Sequence, residues 1–306
     1  MIIRLMNDDD VDVARSLDAL AFLQYSRQSG RGDTVALRTR ENVLACLHLN
    51  PDGCFIAESG RGVGLIFSRR WGTVGWVGTF GVHPDWQGQG IGRRLLTEAV
   101  SHLKASGCTI IGLETMPDSP YNLGFYTGFG FRPIFPTLIL EMKVPETVEG
   151  SVLVSFHQAP GEIGFSTVTQ ISQSVLSGLD YTPEAKSAME HGWGETLLIG
   201  QPEPWSTAIV RTVPKREGAV QSTAEVSALA VQPESRPQLT MAIRALEAFV
   251  CERGLQRVRL ATNSADWEAL RHLRGLGFKV VRLSQRMVLH GQDYCPTGVD
   301  LSPWAM

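Results

Sequence analysis

Apolar and polar positions alternate between two rhythms along this chain. Residues 8–23, DDDVDVARSLDALAFL, place apolar side chains at helical spacing behind an acidic start that suits a helix N-terminus. Residues 40–49, RENVLACLHL, predict a second helix, and Pro51 and Gly53 then turn the chain. Three runs rich in strand formers follow, CFIAES (54–59), GVGLIFSRR (62–70) and VGWVGTFGV (74–82), separated by glycine turns. After a glycine-rich connection comes the clearest helix, with Leu95, Leu96, Ala99, Val100 and Leu103 on one stripe and Gly107 as its stop. CTIIGLET (108–115) predicts a buried strand, parallel to the one before the helix by the crossover rule. PYNLGFYTGFGF (120–131) predicts a short helix and turn, and TLILEMKV (137–144) a closing strand.

The order then recurs. Residues 145–150, PETVEG, read as a linker, after which helices are expected at 165–176 and 183–192. Strands are expected at 195–201, 206–214 and 225–233, a helix at 239–254, a strand at 256–262, a helix and turn at 266–278, and a strand at 285–290. Val82-His83-Pro84 returns as Val231-Gln232-Pro233, 149 positions later. Gly107 returns as Gly254, and Gly130-Phe131 as Gly277-Phe278, both 147 positions later. So steady an offset points to an internal duplication; two unrelated α/β domains of similar element order are the alternative.

Composition narrows the class. The 306 residues are 43% hydrophobic and 19% charged, enough for two packed domains. A formal net charge of −3 with no basic run argues against a nucleic-acid partner, and no apolar run reaches membrane-span length. The opening residues lack a signal-peptide core. Cys46, Cys54, Cys108, Cys251 and Cys295 are scattered, without metal-ligand spacing, so reduced thiols in a cytoplasmic protein are expected.

The candidate chemistry lies in VHPDWQGQGIGRRLL, residues 82–96. Gly88, Gly90 and Gly92 permit torsions that other residues avoid and let a ligand approach the main chain. Amides at a helix start point outward unpaired and favour an anion, so a phosphate or diphosphate is the natural ligand, with Arg93 and Arg94 adding charge. A P-loop is excluded, because no Lys-Ser or Lys-Thr follows. A dinucleotide fingerprint fits poorly, since the glycines have one spacer too few and HPDWQ separates them from the strand.

QGQGIG, residues 87–92, resembles the Q/R-x-x-G-x-G/A signature of the GCN5-related N-acetyltransferases (GNAT). NLGFYTGFGF, residues 122–131, is similar to that family's later motif, where a tyrosine precedes a Gly-Phe pair. The resemblance implies two tandem GNAT-like α/β domains, each a mixed, centrally splayed sheet flanked by helices. The catalytic domain would span residues 1–146, a degenerate copy 147–290, and a tail 291–306. It implies acetyl-CoA as donor, its diphosphate on the amides of Gln87, Gly88, Gln89, Gly90, Ile91, Gly92 and Arg93. The pantetheine arm would lie along Phe80, Gly81 and Val82, with the Phe80 amide polarising the thioester carbonyl. Tyr126 matches the family tyrosine near the sulfur and is the expected general acid.

Glu114, at the end of its strand, and His83, in the turn before the loop, are the candidates for the base, with water relays as a third possibility. Asp85 is expected to structure the loop. In the second half, VQPESRPQLTMAIRAL has no glycine, Pro237 stands where Gly88 would fall, and Leu273 replaces Tyr126. That half is expected to keep the fold without the chemistry and to wall the acceptor pocket or stabilise the first half; Trp193, Glu195 and Trp205 are expected as packing or surface residues, with a place facing that pocket as the alternative. Trp304 is expected to anchor the tail. The function expected is acetyl transfer to a small-molecule primary amine, with a protein amine as the other acceptor class. A non-enzymatic acetyl-CoA sensor and a dinucleotide-binding oxidoreductase module are the alternatives.

Overall fold

The computed structural model describes every residue except 29, 31, 147–155, 159–160, 293 and 305–306. Positions 147–150 of the expected linker therefore lie outside the described residues. Packing divides the chain into two compact units. The first holds Met1–Leu113 with Pro214–Val220, and the second holds Glu114–Val213 with Gln221–Trp304.

The first unit contains β1 (Ile2–Leu5), α1 (Val11–Gln28), α2 (Arg40–Leu49), β2 (Phe55–Glu58), β3 (Gly62–Trp71), β4 (Val74–Val82), α3 (Ile91–Ala105) and β5 (Ile110–Thr115), the last two residues of β5 belonging to the second unit. β1 to β4 pair antiparallel in sequence order, and β5 joins β4 in parallel through α3, as the crossover rule requires. Leu65 and Phe67 of β3 turn toward the core made with Leu17, Val43 and Leu47 of α1 and α2. Gly64, on the other face, lies under Leu95 of α3. The predicted stripe of α3 is buried, with Ile91 added at its start. Gly107, at φ 81°, closes α3 by donating to Lys104 O at 3.0 Å, while Cys108 N–H reaches back to Leu103 O at 3.0 Å.

A loop from the second half belongs to this unit. Lys215 O accepts from Thr39 N–H at 2.9 Å, Glu217 N–H donates to Leu37 O at 2.9 Å, and Arg216 lies 3.1 Å from the buried Asp18 carboxylate. These contacts tie residues 214–220 into the first unit.

The second unit holds α4 (Pro120–Phe129), β6 (Phe131–Pro133), β7 (Thr137–Lys143), β8 (Phe156–Gln158), α5 (Gly161–Val175), α6 (Thr182–Glu190), β9 (Gly194–Ile199), β10 (Ser206–Arg211), β11 (Thr223–Val231), α7 (Leu239–Glu252), β12 (Arg257–Asn263), α8 (Trp267–Gly275), β13 (Lys279–Leu289) and β14 (Val299–Asp300). Its strands run in the order β13-β7-β12-β11-β10-β9-β8. The core joins Leu140 and Met142 of β7 to Leu246 and Phe249 of α7 and Leu273 of α8.

The repeat boundary and the packing boundary differ. Residues 1–146 and 147–290 are the sequence halves, yet β7 pairs antiparallel with β12 and with β13, and β13 also pairs with β6. The closing strand of the first half is therefore built into the second unit. Both edges of β7 are satisfied by strands far downstream, which no local pattern announces. The landmark glycines do repeat in structure. Gly254 donates to Cys251 O and Leu255 N–H to Val250 O, the same closure as at Gly107, each group shifted by 147 positions. Gly130 and Gly277, at φ 110° and 101°, end α4 and α8 in the same manner.

Candidate active site

The site begins with a strand that changes its pairing. Ile66 faces Phe80, but Ser68 faces Val77, so β4 carries one extra residue at Gly78–Thr79. Such a bulge kinks a strand and increases its local twist. The parallel register of β4 with β5 stops at Val77–Leu113, while β4 continues along β3 to Val82. The two strands therefore part just before the residues expected to meet the pantetheine arm, Phe80, Gly81 and Val82. Gly81 has a steric duty as well: a Cβ there would lie 2.6 Å from Ala21 of α1.

A 3-10 turn, Pro84–Trp86, follows β4. His83 caps it, its Nδ1 accepting the Asp85 N–H at 3.3 Å and lying 3.7 Å from the Asp85 carboxylate. The structure thus gives His83 a capping part and sets Asp85 beside it as a loop carboxylate. Gln87 donates from Nε2 to Val82 O at 3.1 Å, tying the loop to the strand end. Gly88 and Gly90 take φ of 74° and 78°, in the left-handed region, and Gly90 is the residue before α3. A Cβ at either would meet nothing within 4 Å, so these positions need glycine for torsion and leave open space beside the chain.

The first bond of the α3 ladder runs from Arg94 N–H to Gly90 O at 3.1 Å, so the amides of Ile91 and Gly92 lie ahead of the ladder. Gly88, Gln89 and Gly90 are exposed, as are Arg93 and Arg94 in the first turn. Residues 87–93 thus form one turn at a positive helix end, exposed at 87–90 and 93, with Ile91 buried and Gly92 half-buried. Sequence reasoning missed the bulge; Gly78 inside a strand was its only local signal.

Glu114 and Tyr126 lie in the second unit. Glu114, the expected base, meets an enclosed, ion-paired environment. Its side chain is 0% exposed and pairs with Arg286, itself 1% exposed, at 2.8 Å, and Thr137 Oγ1 donates to the same carboxylate oxygen at 2.7 Å. Only the main chain of Glu114 leaves the residue half-buried. Both contacts fall on Oε1, and Oε2 is buried without a hydrogen bond among the described residues; the arginine lies too far along the chain to be seen from a strand-end position. Tyr126 packs edge-on against Phe131 at 6.2 Å, and burial pushes its phenol well above the ordinary tyrosine range.

Trp193, Glu195 and Trp205 are engaged in packing and pairing within the second unit. Trp193 is buried, donates to Ser187 Oγ at 3.1 Å and carries Arg211 4.1 Å above its ring. Glu195 pairs with Arg253 at 2.5 Å, and Trp205 packs on the core. Pro237 sits in a 3-10 turn, Pro233–Gln238, that runs straight into α7, and Leu273 is buried in the core. Among the described residues there is no cluster fit to hold a metal ion, no disulfide, and no helix long and apolar enough to cross a membrane.

The sequence profile of the acetyltransferase (GNAT) family matches residues 18–131. Acetyltransferase SG1711 of Sodalis glossinidius (strain morsitans) is 31% identical over 104 residues, which are 34% of this chain and 73% of that protein. The mycothiol acetyltransferase of Thermobifida fusca (strain YX) is 30% identical over 110 residues, 32% of this chain, so the match spans only 33% of that relative's length. A tandem GNAT protein from the clavulanic acid biosynthesis pathway superposes on 97% of this chain and 98% of its own, with a TM-score of 0.59 at 15% identity. A splayed β4–β5 pair, a glycine turn before α3 and these matches define one class, and the chain belongs to the GNAT family. It is a tandem member, with the fold repeated in both halves.

Proposed function

We propose that this protein transfers an acetyl group from acetyl-CoA directly to a primary amine of a small molecule. The observation that carries the reading is the pair of left-handed glycines, Gly88 and Gly90, which turn the main chain of residues 87–93 outward at the head of α3. Main-chain amides at a positive helix end, with Arg93 and Arg94 beside them, suit a diphosphate. The parting of β4 from β5 after Val77 supports an extended arm along Phe80–Val82.

The amine nitrogen attacks the thioester carbon, the C–N bond forms, and the C–S bond breaks with its electron pair on sulfur. With Glu114 buried in an ion pair and His83 capping a turn, water carries the ammonium proton to solvent. Tyr126 is assigned to the departing sulfur by its place in the family's later motif. Its raised pKa keeps the hydroxyl protonated at every physiological pH. A free thiol ionises near about 8.5, so Tyr126 stabilises the thiolate by a hydrogen bond and solvent supplies the final proton.

The test is transfer of isotope-labelled acetyl from acetyl-CoA to a library of amines, run beside calorimetry with CoA. Labelled product with a tight CoA complex is the expected result. Binding without turnover on any amine would favour a sensor, and stabilisation by NAD alone would defeat the reading altogether.

A further inference from the structure

The second half has a parted strand pair of its own. β11 pairs in parallel with β12 only from Thr223 to Glu225. Ile209 of β10 faces Ala228, but Val210 faces Val226, so β11 carries an extra residue at Ser227, 149 positions after Gly78. Beyond that bulge the gap is filled by the chain itself. β14 runs antiparallel to β11 with Ala230 opposite Asp300 and Val231 opposite Val299. Leu301 N–H donates to Leu229 O at 2.9 Å, and on the other side Ala261 N–H donates to Leu301 O at 3.4 Å. Ala230 and Val231 are the counterparts of Gly81 and Val82.

The inserted segment is gripped along its length. Thr297 N–H donates to Val175 O at 2.7 Å, and Gly298 threads so closely past Val231 O that a Cβ would lie 2.5 Å from it. Trp304 is 1% exposed; its Nε1 donates to Tyr181 OH at 2.7 Å, and Tyr181 OH donates to Asp300 at 2.9 Å. Arg286 stacks over Trp304 at 4.7 Å and reaches Ser302 O at 3.4 Å.

We propose that the second half is a strand-binding slot for an extended peptide, and that its resident ligand is the chain's own segment Gly298–Trp304, seated where a cofactor arm would lie. Main-chain pairing supplies adhesion and the Trp304 indole supplies selectivity, the usual division of labour when a peptide completes a sheet. The comparison with a cofactor arm rests on the reading of the first half as a CoA site; the slot itself does not.

A protease site inserted after the exposed Gly291 allows the segment to be cut in the folded, full-length protein. The segment is expected to co-elute with the body after cutting, and a fluorescein-labelled peptide of residues 294–304 to exchange into the cut protein saturably. The same peptide carrying Trp304→Ala should bind at least ~10-fold more weakly. In the uncut protein, Trp304→Ala should speed amide exchange at 226–231 and 298–304 without changing α3. Loss of the segment on cutting with no labelled peptide taken up, or unchanged exchange in the Trp304→Ala protein, overturns the inference. So does calorimetry showing two CoA equivalents per chain. A count of none would sink the proposed function, while peptide exchange still decides the slot.

Discussion

The two turns that follow β4 and β11 are the same structure until their last few residues. Both strands carry a bulge and both part from a parallel neighbour. The helices after them end on the same glycine closure. At the helix start the difference lies in the turn. In the first half Gly88 and Gly90 swing the chain through left-handed torsions, whereas Pro233–Gln238 continues as 3-10 helix into α7 with Pro237 inside it. The stripes, caps and bulges hold the sheet and helices in place. Two torsion angles decide whether the helix end is open to an anion.

The strongest break in this comparison would come from Glu114. Glu114→Ala leaves Arg286 buried without its carboxylate, and should cost about 3–5 kcal/mol in denaturant unfolding. Transfer by the protein that remains folded should change little. A large fall in kcat at unchanged stability would instead restore Glu114 as the base. Tyr126→Phe should lower kcat roughly 100-fold with KM for acetyl-CoA unchanged. An equal loss in KM would show that the ring packs the site and the hydroxyl does nothing at the sulfur.

The turn itself is tested next. Gly90→Ala should weaken CoA binding about 10- to 100-fold in calorimetry, since strained torsions withdraw charge-assisted hydrogen bonds. Unfolding should shift by only about 1–2 kcal/mol, because a methyl there meets no neighbour. Pro237→Gly in the second half should create no second CoA site; appearance of one would mean that the proline alone separates the halves.

The smallest effect concerns Asp300. Burial raises its carboxyl above the ordinary range, even with Arg286 nearby. A group with a raised folded pKa adds stability that is complete below the unfolded pKa, about 3.9, and lost as pH rises through the folded one. Asp300→Asn should therefore match the parent protein near pH 4 and equal or exceed its melting temperature at pH 7. A lower melting temperature at pH 7 would show that the charge, once formed, holds the inserted strand.

Much of this was legible in the residues. The α3 stripe from Leu95 to Leu103 states a helical period, and Gly88 and Gly90 state a torsion, so both could be read without knowing any neighbour. What escaped reading depends on partners. Glu114 lies 172 positions from Arg286, and its strand-end address says nothing about the guanidinium waiting there. The same holds for β14, a two-residue strand in a polar stretch. Its identity comes from the gap that receives it, and Trp304 was the only local hint that the stretch is anchored. The 1–146 boundary follows the repeat; the TLILEMK pattern of β7 declares a buried strand but not which sheet buries it.

That placement of β7 bears on how the protein comes into being. A ribosome adding about 5–20 residues per second releases residues 137–143 on the order of ten seconds before β12 and β13 emerge to flank them. Through that interval Leu138, Ile139, Leu140 and Met142 belong to a nascent strand with neither edge partner made. Such a segment invites pairing with other chains, so yield in the cell should depend on chaperone capacity far more than the finished fold suggests.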